Sequence, residues 1–265
     1  MNPRLVAIDV DGTLLTSGHE LTAATVAALD HVRARGVEIV LATSRGPRAL
    51  VELLWRTGLV EPSVFVGSQG AITGCYGDDG LYVLDQRPAS LASARQVVGD
   101  ALSAGLSVHW FSGEHWLVSH VDRTVEAEVE VVRAEPEVRD LLSEERRPDK
   151  LMLIAPTDDL AALRAVSAGL PSDLQAQPSN PTYLEITRRG VDKGSAMRRY
   201  CRRCDIPRSR VVAIGDGPND LGLFAFAGTC VAPANAHEEV LEAATFLTAS
   251  NDDDGVARAL RMLVP

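Results

Sequence analysis

Short apolar segments alternate with amphipathic ones at both ends of this chain, and no other feature narrows its fold as much. "LVAIDV" reads as a short strand. "LTAATVAALDHVRARG" reads as a helix, with Thr22 as its N-cap and Gly36 as its stop. "VEIVLATS" is a second strand, "PRALVELLWRTG" a helix opened by Pro47, and "SVFVGS" a third strand. From Asp192 the same rhythm returns: "DKGSAMRRYCRRC", "RVVAIGD", "PNDLGLFAFAG", "TCVAP", "AHEEVLEAA", "TFLTAS" and "GVARALRMLV" alternate helix and strand. Apolar strands separated by amphipathic helices imply a parallel sheet covered on both faces.

Between these halves the pattern changes. "GAITGCYGDDGLYVL" reads as a hairpin turning at "GDDG". A helix follows near Ser90 to Ala104, and then "LSVHWFSGEHWLVSH" reads as two strands turning at Ser112 to Glu114. A charged helix near Arg123 to Ala134, the strand "DKLMLIAP", a helix near Asp158 to Gly169, and strands near Leu174 and Tyr183 complete the middle. Strands joined by hairpins suggest a largely antiparallel sheet. The expectation is an α/β protein in which residues 1–82 and 188–265 form a parallel-sheet core and 83–187 an inserted α+β domain.

The chain has 265 residues, 46% of them hydrophobic, so a sizeable core can be buried. A formal charge of -10 argues against a nucleic-acid partner, which would call for a basic face. An acidic protein that binds an anion must also build its own local positive field. The apolar runs fall short of a membrane span, and no charged and apolar leader pattern opens the sequence. The four cysteines, Cys75, Cys201, Cys204 and Cys230, are therefore expected as reduced thiols in a cytoplasm. Cys201 and Cys204 form a CxxC, but no second pair or nearby histidines complete a zinc site, so ordinary helix residues are the expectation.

Chemistry-bearing residues collect where the apolar strands end. "AIDVDGTLLT" places Asp9 and Asp11 one residue apart. It is not a calcium loop, because the sixth position is Leu14 where that loop needs glycine. "IVLATSRG" ends in Thr43 and Ser44, and "VVAIGDGPND" brings Asp216, Asn219 and Asp220. "GVDKGS" opens a helix with Lys193. Ligands of parallel sheets bind beyond the carboxyl ends of the strands. Each piece alone also reads as a turn, a helix cap or a surface lysine. The whole set, in order, reads as a site. In an extended strand Asp9 and Asp11 would point to one side.

Carried by "DVDGTLL", "LATSR", "VDKG", "GDGPND" and the tail "VAPANAHEEVLEAATFLTASNDDDGVARAL", the sequence resembles the haloacid dehalogenase superfamily, specifically Cof-type phosphatases with a type IIB cap. The resemblance implies a Rossmann-like core sheet with residues 83–187 as the cap. It implies a phosphatase of small phosphorylated metabolites, such as sugar phosphates or phosphorylated cofactors. Asp9 would be the nucleophile that becomes an aspartyl-phosphate, and Asp11 the acid that protonates the leaving oxygen and then activates water. Mg2+ would be held by the Asp9 carboxylate, the Asp11 carbonyl and Asp216, with Asp220 ligating or orienting a bound water. Thr43 and Lys193 would bind phosphoryl oxygens, and Asn219 the phosphate or the metal shell. Relatives that cleave carbon–halogen or carbon–phosphorus bonds lack an acid at the place of Asp11.

The sequence departs from the family pattern twice. Ser44 stands where glycine is usual, and Gln69-Gly70 where Asn-Gly is usual. Arg45 is kept and would face phosphate or cap. Candidate leaving-group contacts in the cap are His109, Trp110, Glu114, His115, Trp116 and Asn180, although Trp110 and Trp116, at even spacing, also fit one buried face. Arg198, Arg199, Arg202 and Arg203 read as a solvated helix face, with an interaction patch as the other reading. Two further functional readings stay open: a phosphomutase or phosphotransferase using the same Asp9, and a non-catalytic phosphate-ligand sensor.

Overall fold

A computed structural model describes residues 2–58, 63–132, 134–157 and 160–265, without the side chains of Glu52, Glu130, Val131 and Asn180. Asp158 and Asp159, at the expected start of one helix, lie outside the described residues. In chain order the strands are β1 Leu5–Ile8, β2 Glu38–Ala42, β3 Val64–Gly67, β4 Ile72–Gly77, β5 Gly80–Gln86, β6 Ser107–Ser112, β7 His115–Val118, β8 Glu137–Val138, β9 Lys150–Ile154, β10 Leu174–Asn180, β11 Tyr183–Arg188, β12 Val211–Ile214, β13 Thr229–Pro233 and β14 Phe246–Thr248. The chain divides into two compact units. One runs up to Ser44 and adds Val51–Leu84 and Asp192–Pro265; the other is Arg45–Leu50 with Asp85–Val191. The boundary expected at residue 83 falls inside β5, which continues across the division to Gln86.

In the first unit the strand order is β14-β13-β12-β1-β2-β3-β4-β5. From β14 to β3 neighbours are parallel, and β4 turns back antiparallel on β3. The "GDDG" hairpin thus extends this sheet at its edge. Every residue of β1, β3 and β12 is buried, as strands covered on both faces require. The helix Ala23–Ala34 starts where expected, with Thr22 Oγ1 accepting from Thr25 N at 3.1 Å. Helix Lys193–Arg203 packs against Leu221–Phe226 so closely that a Cβ on Gly194 would lie 1.9 Å from Gly222 O. Strand order reverses at β1: the next strand in sequence, β2, lies on one side of it and β12 on the other. Such a reversal opens a crevice at the carboxyl ends of the strands.

The second unit holds a sheet in the order β10-β11-β9-β6-β7-β8, antiparallel except for the β7–β8 pair. The two residues of β8 are too few to leave a periodic signal in sequence. On one face Val108, Trp110, Leu117, Leu151 and Leu153 pack with residues of the helices Leu91–Ser103 and Ala161–Ala168. On the other, Phe111, Trp116, Val118, Met152 and Ile154 pack with Val125 of the helix Arg123–Val132. The two tryptophans are both buried but lie on opposite faces, which corrects the expectation of one shared face. Trp110 pairs with Leu117 and Phe111 with Trp116. Even spacing implies a common face only along one strand, and here a turn intervenes, so pairing across the hairpin decides.

Candidate active site

β1 ends at Ile8, and Asp9 N donates to Ile214 O at 2.9 Å, extending the contact with β12. The chain then makes a wide turn, Leu14 N to Asp9 O at 3.2 Å and Leu15 N to Val10 O at 3.0 Å. Strand alternation therefore does not set the direction of Asp11, which already lies beyond the strand. Its side chain is 39% exposed, 3.7 Å from His19 Nδ1, whereas that of Asp9 is 7% exposed. Gly12 has φ +78°, and a Cβ there would sit 2.4 Å from Asp216 Oδ2. Both facts call for glycine. Thr13 Oγ1 donates to Asp216 Oδ1 at 2.6 Å, tying this turn to the one after β12. Sequence reasoning missed Thr13, although it follows directly on the acidic pair.

After β12, Asp220 folds back, and its Oδ2 accepts from Asp216 N and Gly217 N at 3.1 Å each. Its Oδ1 accepts from Lys193 Nζ at 2.8 Å, and Asp9 Oδ1 accepts from the same ammonium at 2.6 Å. Lys193 begins its helix because Asp192 caps it, with Ser195 N donating to Asp192 Oδ1 and Asp192 N to Ser195 Oγ. Lys193 and Asp220 are fully buried.

Thr43 follows β2, beside the end of β1, and is buried; its N donates to Val66 O at 2.8 Å and its O accepts from Gln69 N at 3.2 Å. Gln69 Oε1 accepts from Asn219 Nδ2 at 3.4 Å. Gln69 and Ser68 hold φ of +58° and +49°, a strained pair at the end of β3. Gln69 thus occupies a left-handed position that asparagine tolerates better. Ser44 is not among the described residues with positive φ, so its replacement of glycine carries no such strain.

Of the cap candidates, His109 is a packed interior residue. Its Nδ1 accepts from Trp116 Nε1 at 3.1 Å, and its Nε2 lies 3.4 Å from Ser107 Oγ. Burial pushes it down to about 4, keeping the ring neutral. Trp110 and Trp116 are likewise interior. Glu114 and His115 are exposed near the hairpin turn, where His115 Nδ1 meets Glu137 Oε1 at 2.6 Å. The side chain of Asn180 lies outside the described residues. Arg45 belongs to the second unit, where its charge favours the ionised form of Glu128. The four arginines do not share one role: Arg198 stacks over Phe226, Arg199 reaches Gly70 O, Arg203 reaches Leu84 O, and Arg202 is exposed.

Asp9, Asp216 and Asp220 each offer an oxygen within 4.8 Å of one another. Burial above all raises the Asp9 carboxyl well above its ordinary value, and the charges of Asp220 and Asp216 add to this against the pull of Lys193. Burial likewise raises Asp216. For Lys193 burial works against the ammonium, but Asp220 and Asp9 outweigh it and hold the group charged. Three carboxylates around one ammonium leave surplus negative charge in a desolvated place. An all-oxygen acidic set of this kind suits a hard divalent cation, so the residues fit a metal.

Fold and site together define a hydrolase class. The sequence pattern of the haloacid dehalogenase-like hydrolases matches residues 6–260, and the chain belongs to that family, of the Cof type. It is a phosphatase, a phosphoric monoester hydrolase. Among its relatives is the "Putative phosphatase YxeH" of Bacillus subtilis, 31% identical over 98% of both chains. Another, from the same organism, is the 5-amino-6-(5-phospho-D-ribitylamino)uracil phosphatase YitU, 26% identical over 98% of this chain and 97% of its own. The crystal structure of a haloacid dehalogenase-like hydrolase from Bacteroides thetaiotaomicron superposes with a TM-score of 0.89 at 26% identity, covering 99% of this chain and 100% of the other.

Proposed function

We propose that this phosphatase hydrolyses small phosphorylated metabolites with sugar-like or polyol leaving groups, through a phosphoryl group carried on Asp9. The observation that carries the reading is the cluster of Asp9, Asp216 and Asp220 beside Lys193, with Asp9, Asp220 and Lys193 buried and Asp216 half-buried, at the point where strand order reverses. A nucleophile needs a held position. Lys193 supplies it for one Asp9 oxygen, and the other oxygen is the one that attacks phosphorus. The leaving oxygen takes a proton from Asp11. Asp11 then removes a proton from water, whose oxygen attacks phosphorus, so that inorganic phosphate forms and Asp9 is regenerated. Partial exposure suits Asp11 to this exchange of protons with water.

Mg2+ would be held by the Asp9 carboxylate, the Asp11 carbonyl and Asp216, and supplies positive charge against the phosphate dianion. Asp220 acts as the orienting carboxylate: Lys193 and two backbone N–H groups engage its oxygens, and they fold the loop that presents Asp216. Thr43 and Lys193 bind phosphoryl oxygens, with Asn219 beside them through its contact with Gln69. The substrate class draws support from YitU, whose name gives it a phosphorylated ribityl compound. Among the described residues no helix is long and apolar enough to cross a membrane.

The test is phosphate release from a panel of sugar phosphates, polyol phosphates and phosphorylated cofactors, with Mg2+ and with chelator, beside Asp9→Asn. Release by the wild type with Mg2+ alone, and none by the variant, is the expected result. Release by Asp9→Asn at the wild-type rate would overturn the nucleophile assignment, and full activity in chelator the metal assignment.

A further inference from the structure

The turn that carries both acids is held from within and from distant segments of the chain. Within it, Leu14 N and Leu15 N reach back to Asp9 O and Val10 O, while the carbonyls of Gly12 and Leu15 face other segments. Each is taken by an asparagine from the far end of the chain. Asn235 Nδ2 donates to Gly12 O at 2.8 Å, and Asn251 Nδ2 donates to Leu15 O at 2.9 Å. The two asparagines are joined, because Asn251 N donates to Asn235 Oδ1 at 2.9 Å. Two residues past Asn235, His237 N donates to Asp216 O at 2.9 Å, so the same short segment touches both acidic turns. Downstream of Asn251, Asp252 accepts from Ser17 N and Ser17 Oγ at 2.8 and 2.7 Å.

We propose that Asn235 and Asn251 are positioning residues that clamp the nucleophile turn, holding Asp11 and Thr13 in register with Asp216. The inference rests on the catalytic reading above but concerns residues that reading does not use. The chemistry at position 235 explains the residue type. The side chain must donate to a carbonyl and accept from an N–H at once, without charge, and an amide does both. An aspartate of the same shape would keep the acceptor and turn a carboxylate oxygen against Gly12 O. Gly12 is where this matters, because its neighbours are Asp11 and Thr13, and Thr13 Oγ1 holds Asp216. A turn free to shift would move the acid and the metal-facing carboxylate apart.

The experiment compares Asn235→Asp and Asn235→Ala with wild type by steady-state phosphate release and by hydrogen exchange of the peptide 9–16. Because Asn235 is exposed, both variants are expected to fold with nearly the wild-type Tm. Exchange at Leu14 and Leu15 should quicken about fivefold, the weight of one ordinary hydrogen bond. The kcat should fall about tenfold or more in both variants, with KM within about twofold. A packing role alone would spare the isosteric Asn235→Asp, so wild-type kcat in that variant overturns the proposal, as does unchanged exchange. Wild type inert toward every substrate would instead sink the catalytic reading, and the exchange arm would still decide whether the clamp exists.

Discussion

Asp149→Asn should make the stability of the second unit fall in acid where the wild type stays nearly level. Asp149 is fully buried, and its carboxylate accepts from Gln86 Nε2 at 3.0 and 3.2 Å and from Gly113 N at 2.7 Å. Burial outweighs these bonds and pushes it up to about 6 from an ordinary 3.8. Between those values the folded state holds a proton that the unfolded chain has released. Its contribution is therefore complete below pH 3.8 and lost as pH rises through about 6, a change of about 3 kcal/mol. His109 runs the other way, because burial lowers it from 6.5 to about 4. The unfolded chain then binds the extra proton, so stability is complete above pH 6.5 and declines by about 3 kcal/mol as pH falls to about 4. Over most of that range the two contributions cancel.

Removing Asp149 exposes the histidine. The difference in unfolding free energy between variant and wild type should become about 2–3 kcal/mol less favourable to the variant between pH 7 and pH 4. His109→Gln should shift by a similar amount in the opposite direction. Urea unfolding followed by tryptophan fluorescence reads this, because two of the three tryptophans, Trp110 and Trp116, lie in that unit. A variant-minus-wild-type difference that is the same at both pH values would refute the reasoning.

Three other outcomes follow from the first unit. Gly194→Ala should cost about 1–3 kcal/mol and lower Tm, since its Cβ would press on the Gly222 carbonyl; an unchanged Tm would contradict the packing. Lys193→Met should destabilise the metal-free protein by about 3–5 kcal/mol in urea and abolish phosphate release, because Asp9 and Asp220 lose their buried counter-charge. Mg2+ should raise the wild-type Tm in a concentration-dependent way, and Asp216→Ala should need far more of it; equal midpoints for the two proteins would remove Asp216 from the metal site.

Much of this protein is legible in one dimension, for definite reasons. Helix caps and stops are local, so Thr22, Ser90 and Asp192 mark helix starts from sequence alone. Strands buried on both faces must be apolar throughout, which makes β1, β3 and β12 plain to see, and the acids and lysine stand out because they interrupt such runs or follow them. What escapes local reading depends on pairing across turns or between distant segments. The opposite faces of Trp110 and Trp116 follow from hairpin register. The wide turn after Ile8, which presents Asp11, depends on Asp216 leaving room only for glycine at position 12. Ser44 and Gln69 look like equal departures from a pattern, but only Gln69 sits at positive φ.

The sequence by itself determined the two kinds of sheet and which polar residues follow the apolar strands, because periodicity and composition act over a few residues. Tertiary structure alone decided that Lys193 meets Asp9 across 184 residues and Asp220 across 27, and that Asn235 and Asn251 close on the turn at Gly12 and Leu15. Those contacts exist because β1 lies between β2 and β12, bringing chain ends to one sheet edge, and no local propensity encodes that order.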